Sequence, residues 1–316
     1  MDVLTNTFFY CVYQKNVVPL HVKHIFRSRI MKHLLSILLI AMACIGCEPV
    51  GVQNKDIQGI GVFSVSETKK VTFSPSNLYY DRVTRTWDFF EGQYESLTIN
   101  NLNSPCEHPR GDHWFSNLFF EALADSIDPE MQLGRKLDLF GWGTGDYPTL
   151  VSKDTADYAT FYDWGFNKIG KDNSKDWRTL NYDEWDYLLH KRPNADSLWA
   201  FAAVYGCPGK IFLPDGWVCP DGVSYKPVHG NTPVMLEGVN NYYKDEWSIM
   251  EESGAVFLRY SCVRNGTILW LIESMAGYWV ASYTDEAHGV ALGYFEDLTE
   301  RSRCLGYSVR LVKDIK

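Results

Sequence analysis

The chain has 316 residues, of which 46% are hydrophobic and 22% are charged, and its formal net charge is −9. This composition is typical of a globular protein that is long enough for one large domain or two small ones. Residues 1–47 hold five of the 30 basic residues and one of the 39 acidic ones, so the rest of the chain has a net charge of −13. Such an acidic chain argues against nucleic acid and against anionic lipid surfaces as partners.

Residues 31–47 carry the pattern of a lipoprotein signal peptide. Lys32 supplies a positive charge, and the apolar run over 34–43 is too short to span a bilayer. Small residues then precede Cys47, whose thiol can carry diacylglycerol and anchor the protein without a membrane-spanning helix. We therefore predict lipidation at Cys47, with Cys44 as the alternative site.

The signal peptide does not begin at residue 1. The simplest explanation is that Met31 is the true start and that residues 1–30 are an extension from a start codon assigned too early, so they are not expected to belong to the fold. Residues 48–57 are polar and read as a tether. The rest is then expected outside the cytoplasm, at the cell envelope, anchored by lipid to the outer membrane, with the leaflet left open.

Short runs of alternating polarity follow the tether. Residues 61–66 and 70–74 alternate as strands do, and residues 78–80 and 87–89 are predicted to pair as a hairpin. A helix is expected over 116–127. Further strands are predicted at 255–258 and 308–312, and residues 211–217 read as a strand that runs into a turn. The strands predicted at 277–282 and 290–295 are expected to form a further pair.

Two further helices have clearer start signals. Asn181 can cap the first of them, and Glu184 occupies the reciprocal position of a capping box. The apolar residues of this helix share one face: Trp185, Leu188 and Leu189. The second helix is predicted over 243–252 and ends before Gly254. Few helices, many short strands and long aromatic-rich loops predict a single α+β domain over 58–314.

Seven motifs in this order resemble a large paralogous group of Bacteroidetes surface lipoproteins, similar to the Fibrobacter succinogenes major paralogous domain. The motifs lie at residues 63–66, 69–78, 138–145, 177–180, 212–217, 254–258 and 308–312. The resemblance covers about 58–314.

A remoter resemblance is to the formylglycine-generating-enzyme type of C-type-lectin-like fold. There a Leu-Pro-x-x-x-Glu-Trp segment opens a helix and a Gly-x-Arg strand closes the domain, and residues 179–185 and 306–310 look similar. This resemblance implies a single C-type-lectin-like domain. The chain departs from the group at 259–262 and 278–282. It also lacks a partner cysteine that would complete a redox pair with Cys304, because Thr299 and Val309 occupy the corresponding positions, so the resemblance does not support formylglycine chemistry.

No catalytic signature is present, since the sequence has no nucleophile elbow, zinc-protease motif, phosphate loop or dinucleotide fingerprint. The pattern closest to a metal site combines Cys106, His108, Asp112 and His113, but it has no second ligand element, and we interpret it as a polar loop. We predict no cofactor. Calcium is the one alternative, held by acidic residues near glycines that more often cap turns: Asp138, Asp146, Asp215 and Asp221.

Five cysteines follow the predicted lipidation site, so at least one stays unpaired. Cys207 with Cys219 and Cys262 with Cys304 are the disulfide pairs that an oxidising compartment allows. Buried free thiols are the alternative, and the sequence leaves both open.

Aromatic residues make up 15% of the chain, and several lie in polar or Gly-rich loops. Aromatic faces stack on sugars or anchor protein partners, so we expect ligand contacts from Trp270, Tyr147, Trp164 and Tyr278. Other tryptophans lie in the group motifs and are expected in the core: Trp142, Trp185, Trp217 and Trp279.

The hypothesis favoured by these patterns is a non-catalytic binding domain of the cell envelope, with a glycan or a protein as its ligand. One alternative is an enzyme on the same fold, a hydrolase or a modifying oxidase. The other is a structural component of the surface layer that has no small ligand.

Overall fold

The computed structural model describes residues 60–96, 135–229, 238–260, 262–270, 276–293 and 297–316. They belong to one structural unit, Ile57–Lys316. The predicted lipidation site Cys47, the tether, the helix expected over 116–127 and the Cys106–His113 loop lie outside the described residues.

The described part of the chain contains sixteen short strands and two α-helices, α1 (Tyr182–Asp186) and α2 (Lys244–Glu252). It also contains three short 3-10 helices, Thr155–Tyr158, Trp164–Phe166 and Ala195–Ser197. The strands are β1 (Phe63–Ser64), β2 (Lys70–Phe73), β3 (Leu78–Asp81), β4 (Thr86–Phe89), β5 (Lys136–Leu137), β6 (Trp199–Val204), β7 (Cys207–Phe212), β8 (Asn241–Tyr242), β9 (Val256–Arg259), β10 (Val263–Asn265), β11 (Ile268–Trp270), β12 (Gly277–Tyr283), β13 (His288–Gly293), β14 (Thr299–Ser302), β15 (Leu305–Gly306) and β16 (Val312–Asp314). This sheet-rich architecture with few helices agrees with the predicted α+β class.

The described strands form five small sheets, in the orders β1-β2-β16, β4-β3-β5, β8-β6-β7-β9, β11-β10-β15 and β12-β13-β14. Neighbouring strands are antiparallel except for β6 and β8, which are parallel. The hairpin predicted at 78–80 and 87–89 is confirmed as the pair β3–β4, and the pair expected from 277–282 and 290–295 is confirmed as β12–β13. The first sheet joins the two ends of the domain, because β16 pairs with β2.

Helix α1 begins as its sequence predicts. The Asn181 side chain accepts a hydrogen bond from the Glu184 amide at 3.0 Å, and the Glu184 carboxylate accepts one from the Asn181 amide at 3.1 Å. A π-helical turn, Tyr187–Lys191, continues the helix. The predicted apolar face, Trp185, Leu188 and Leu189, is buried. Helix α2 confirms the second prediction and is followed by Gly254 at φ +89°.

The prediction of a continuous strand over 308–312 is wrong, since only β16 is a strand there. The backbone of this stretch bonds to several separate segments. The Ser308 amide donates to the Gly277 carbonyl, while the Val309 and Leu311 carbonyls accept from the amides of Leu78 and Ser74. A stretch that changes partner at nearly every residue cannot form a regular ladder.

Most of the core consists of three clusters of buried apolar residues. One packs α1 against β2, β7 and β12, and another packs α2 against β6 and β9. The remaining one, here called the tryptophan cluster, is rich in indole rings: Trp87, Trp142, Trp164, Trp177 and Trp279. The predicted core positions of Trp142, Trp185 and Trp279 are confirmed, and Trp217 is half-buried, with its indole nitrogen donating to the Ser253 hydroxyl at 2.9 Å.

Candidate functional site

A cleft of about 760 Å³ opens beside the tryptophan cluster, between the β3–β4 hairpin and two loops, 144–148 and 167–170. We call it the hairpin cleft. Its volume lies within the range of roughly 300–1,000 Å³ in which proteins bind small organic ligands. Its lining residues are Tyr80, Arg85, Thr86, Trp87, Asp88, Gly145, Asp146, Pro148, Asn167, Lys168 and Gly170.

Two aromatic residues contribute the apolar part of the cleft. Tyr80 on β3 and Trp87 on β4 are directly paired, so their side chains lie on the same face of the hairpin. Their ring centroids are 5.0 Å apart. Trp87 is 6% exposed and belongs to the tryptophan cluster, while Tyr80 is partly buried against it. The core therefore fixes both rings at the wall of the cleft.

A single parallel bridge between Trp87 and Ile169 attaches the second loop to the hairpin. The Gly170 amide donates to the Trp87 carbonyl at 2.9 Å. Gly170 has φ +52°, and a Cβ atom there would lie 2.8 Å from Oδ1 of Asp88. This position therefore favours glycine for both backbone conformation and space.

Asn167 holds the two loops together. Its amide nitrogen donates to the Gly145 carbonyl at 2.8 Å and to the Trp164 carbonyl at 3.1 Å. On the other side, the Gly145 amide donates to the Tyr162 carbonyl at 3.1 Å. Both walls of the cleft are thus fixed by hydrogen bonds before any ligand binds.

The charges that line the cleft balance. The lining contains two cations, Arg85 and Lys168, and two carboxylates, Asp88 and Asp146, and all four residues are exposed. Asp88 uses one oxygen to accept from the Phe89 amide at 2.9 Å. Charged donors and acceptors of both signs suit a polar ligand without net charge.

The four aromatic residues that were expected to contact a ligand differ in their exposure. Tyr147 is 57% exposed and stands between two lining residues, Asp146 and Pro148. The backbone of Trp270 pairs with Val263 in the β10–β11 hairpin, while its side chain lies outside the described part.

The expectation for Trp164 and Tyr278 is wrong, because both are buried, with exposures of 0% and 1%. The Tyr278 hydroxyl donates to the Arg259 carbonyl at 2.8 Å and accepts from the Asn77 amide at 3.0 Å. Burial raises the pKa of Tyr278 well above its usual value. A buried ring has no face that a ligand could reach.

The acidic residues considered for calcium do not gather into one site. Asp138 accepts from the Ser96 hydroxyl at 2.7 Å, and Asp215 accepts from the backbone and hydroxyl of Ser64 at 3.2 and 2.6 Å. These two carboxylates thus secure distant segments. Across the described ranges, no three His, Cys, Asp or Glu residues come together as metal ligands.

None of the four described cysteines is in a disulfide, so the pairs considered for them are not formed. Cys207, Cys262 and Cys304 are buried, and Cys219 is exposed. In the part of the chain that the structure describes, no helix combines the length and the apolar character needed to cross a bilayer.

Comparisons of the chain with protein-family models, curated proteins and solved structures gave no match. The candidate site consequently rests on its own geometry. Sequence reasoning missed most of the cleft: it singled out Asp146 in the lining and Tyr147 beside it, but not Asp88, Asn167 or Gly170. The one local signal was the hairpin, whose alternation places Tyr80 and Trp87 on a common face.

Proposed function

We propose that this protein is a non-catalytic glycan-binding module and that the hairpin cleft binds neutral oligosaccharides. The observation that carries the proposal is the combination, in one preformed cleft, of an aromatic surface with two cations, two carboxylates and an amide. Sugars present apolar CH faces and hydroxyl groups that both donate and accept. A site for them needs aromatic surface and hydrogen-bonding groups of both kinds.

Rigidity of the empty cleft supports this proposal. The Asn167 and Gly170 hydrogen bonds hold the loops in place, so ligand binding need not order them. The balance of charge favours a neutral sugar over a polyanion, because an anionic ligand would face Asp88 and Asp146 as well as the two cations.

We further propose a C-type-lectin-like fold for the domain, related to the Fibrobacter succinogenes major paralogous group. Several features support it: few helices, short strands, a helix that opens at Asn181 and a last strand that pairs with β2. Arg310, in the segment that resembles a closing strand, is buried and donates to the Gln93 side chain at 2.6 Å. It thereby links segments near the two ends of the domain.

The proposal also includes the location of the protein, which is the cell envelope. A lipid on Cys47 would tether the module to the outer membrane, where glycans are available as ligands. A Cys47→Ala variant should lose radiolabelled palmitate, and retained labelling would refute this anchor site.

Binding is tested by screening the full chain on an array of neutral and acidic glycans. We expect selective binding of neutral oligosaccharides at micromolar concentration. Asp88→Asn and Asp146→Asn each replace a charged acceptor and should weaken binding about tenfold or more. Asp221→Asn is the matched control, because Asp221 is exposed and is not a cleft residue. Equal binding by all three variants would contradict the assignment of the cleft.

The same samples test the alternatives. Mass spectrometry of the bound oligosaccharides after long incubation would reveal cleavage if the protein is a hydrolase, with Asp88 and Asp146 as the first carboxylates to examine. No binding to any sugar, together with recovery of an envelope protein in a pull-down, would instead favour the structural role.

A further inference from the structure

We infer that the bound glycan extends out of the hairpin cleft along an aromatic rim, so that the protein recognises an internal segment of a linear neutral polysaccharide. This inference rests on the proposed glycan binding and adds the class of ligand. The aromatic rim consists of Tyr147, Tyr162 and Phe166. Each of these residues adjoins the cleft through backbone contacts or through neighbouring residues.

Tyr147 occupies a fixed turn at the mouth of the cleft. Its amide donates to the Thr144 carbonyl at 3.1 Å, and its carbonyl accepts from the Leu150 amide at 3.1 Å. The residues on either side of it, Asp146 and Pro148, both line the cleft. The exposed Tyr147 is therefore adjacent to the lining along the chain, although it is not itself a lining residue.

Phe166 and Tyr162 form the second part of the rim. Phe166 is 42% exposed and directly precedes Asn167, the residue that ties the walls together. Its ring meets the Tyr162 ring edge-on, with centroids 5.5 Å apart. The Tyr162 amide donates to the Gly143 carbonyl at 2.9 Å, and its carbonyl accepts from Gly145, which lines the cleft.

Singly exposed aromatic residues are common and carry no meaning by themselves. Here, however, Tyr147 and Phe166 adjoin the same polar cleft, and both are held by bonded turns or ring contacts. Rigid rings lose little conformational entropy when a ligand stacks on them. Sugar units that leave the cleft can therefore gain contact area at the rim.

The volume of the cleft also favours a ligand of several sugar units. At about 760 Å³, it offers space for several sugar units, so a monosaccharide would leave most of the lining unused. A site that was selective for a terminal sugar would enclose that unit, whereas this cleft is open and has the exposed Tyr147 between two of its lining residues, Asp146 and Pro148, along the chain. A chain that enters and leaves the cleft uses both regions.

The test measures affinity against chain length by calorimetry. The probes are cello-, xylo-, malto- and manno-oligosaccharides, from the disaccharide to the hexasaccharide, with the full-length protein. We expect the dissociation constant of the preferred series to fall with length. Tyr147→Ala and Phe166→Ala should bind the disaccharide as the wild type does, but each should lose about three- to tenfold for the hexasaccharide.

Tyr243→Ala is the matched control, because Tyr243 is 53% exposed at the start of α2 and does not line the cleft. Thermal melting of each variant shows whether it remains folded. Equal affinity for short and long oligosaccharides would overturn the inference and leave cleft binding intact. Failure of every series to bind would overturn the proposed function itself, and rim variants that weaken the disaccharide as much as the hexasaccharide would place these rings inside the primary site.

Discussion

Replacing Asn167 with alanine should loosen the hairpin cleft without disturbing the core. The variant removes the amide that donates to the carbonyls of Gly145 and Trp164, at 2.8 and 3.1 Å. Each hydrogen bond contributes about 0.5–1.5 kcal/mol net, so their loss should cost about 2 kcal/mol. That cost corresponds to roughly a thirtyfold change in the equilibrium between the closed and the open loop.

Urea denaturation gives the change in the free energy of unfolding, and hydrogen exchange shows where the chain opens. We expect faster exchange at the Gly145 amide, which donates to the Tyr162 carbonyl across the same wall. Affinity for the preferred oligosaccharide should also fall in this variant, because a loosened wall must be ordered again when the ligand binds.

The matched control is Asn173→Ala, because Asn173 is exposed and its side-chain amide only reaches the Asp176 carboxylate at 3.5 Å. Its backbone amide keeps the stronger bond to Asp176, at 3.0 Å. If both variants have the same unfolding free energy and the same exchange rate at Gly145, the role assigned to Asn167 in holding the two loops together is refuted.

Arg178→Ala should lower the free energy of unfolding by about 2 kcal/mol, because it strips the nearly buried Glu184 of two hydrogen bonds of 2.7 and 2.8 Å. Asp314→Asn should cost less than about 1 kcal/mol near neutral pH, since Asp314 is largely exposed. The Arg178 guanidinium lowers the pKa of Asp314, so this contribution is present above about pH 4 and is lost as the pH falls through the lowered pKa. Gly165→Ala should destabilise the fold by about 2 kcal/mol or more, because its Cβ would lie 2.1 Å from the Trp177 carbonyl oxygen.

Urea and thermal denaturation measure these three effects. Lys191→Ala is the control for the charge network, since Lys191 is largely exposed in its pair with Asp186 and its loss should leave the denaturation midpoint unchanged. Gly92→Ala is the control for the glycine, because its Cβ would meet side-chain ends of Tyr94 and Glu95 rather than backbone. An unchanged midpoint for Gly165→Ala, or a pH-independent difference between wild type and Asp314→Asn, would contradict the respective argument.

The buried Trp164 shows why sequence reasoning failed for part of the site. Trp164 lies between Asp163 and Gly165, a polar and glycine-containing context that suggests an exposed loop. In the structure, Asp163 accepts from the Gly165 amide at 2.9 Å and from the backbone and hydroxyl of Thr179 at 3.0 Å. These bonds turn the loop inward. The contacts between Asp163 and Thr179 join residues sixteen positions apart, so no local sequence pattern predicts them.

By itself, the sequence determined the elements that depend on near neighbours. Asn181 and Glu184 are three residues apart and satisfy each other's backbone, so the start of α1 follows from local hydrogen bonding. The β3–β4 hairpin follows in the same way from alternating side chains and a short connection. Short-range geometry of this kind is encoded in spacing along the chain.

Only the tertiary structure decided where the cleft lies and which aromatic rings stay exposed. The bridge from Trp87 to Ile169 and the bond from Asn167 to Gly145 join segments that are far apart along the chain. Such contacts form because the tryptophan cluster packs the segments together, and burial is shared by the whole core rather than by any single stretch. For this reason Tyr147 stays exposed at the rim while Trp164 is buried, although both lie in similar polar loops.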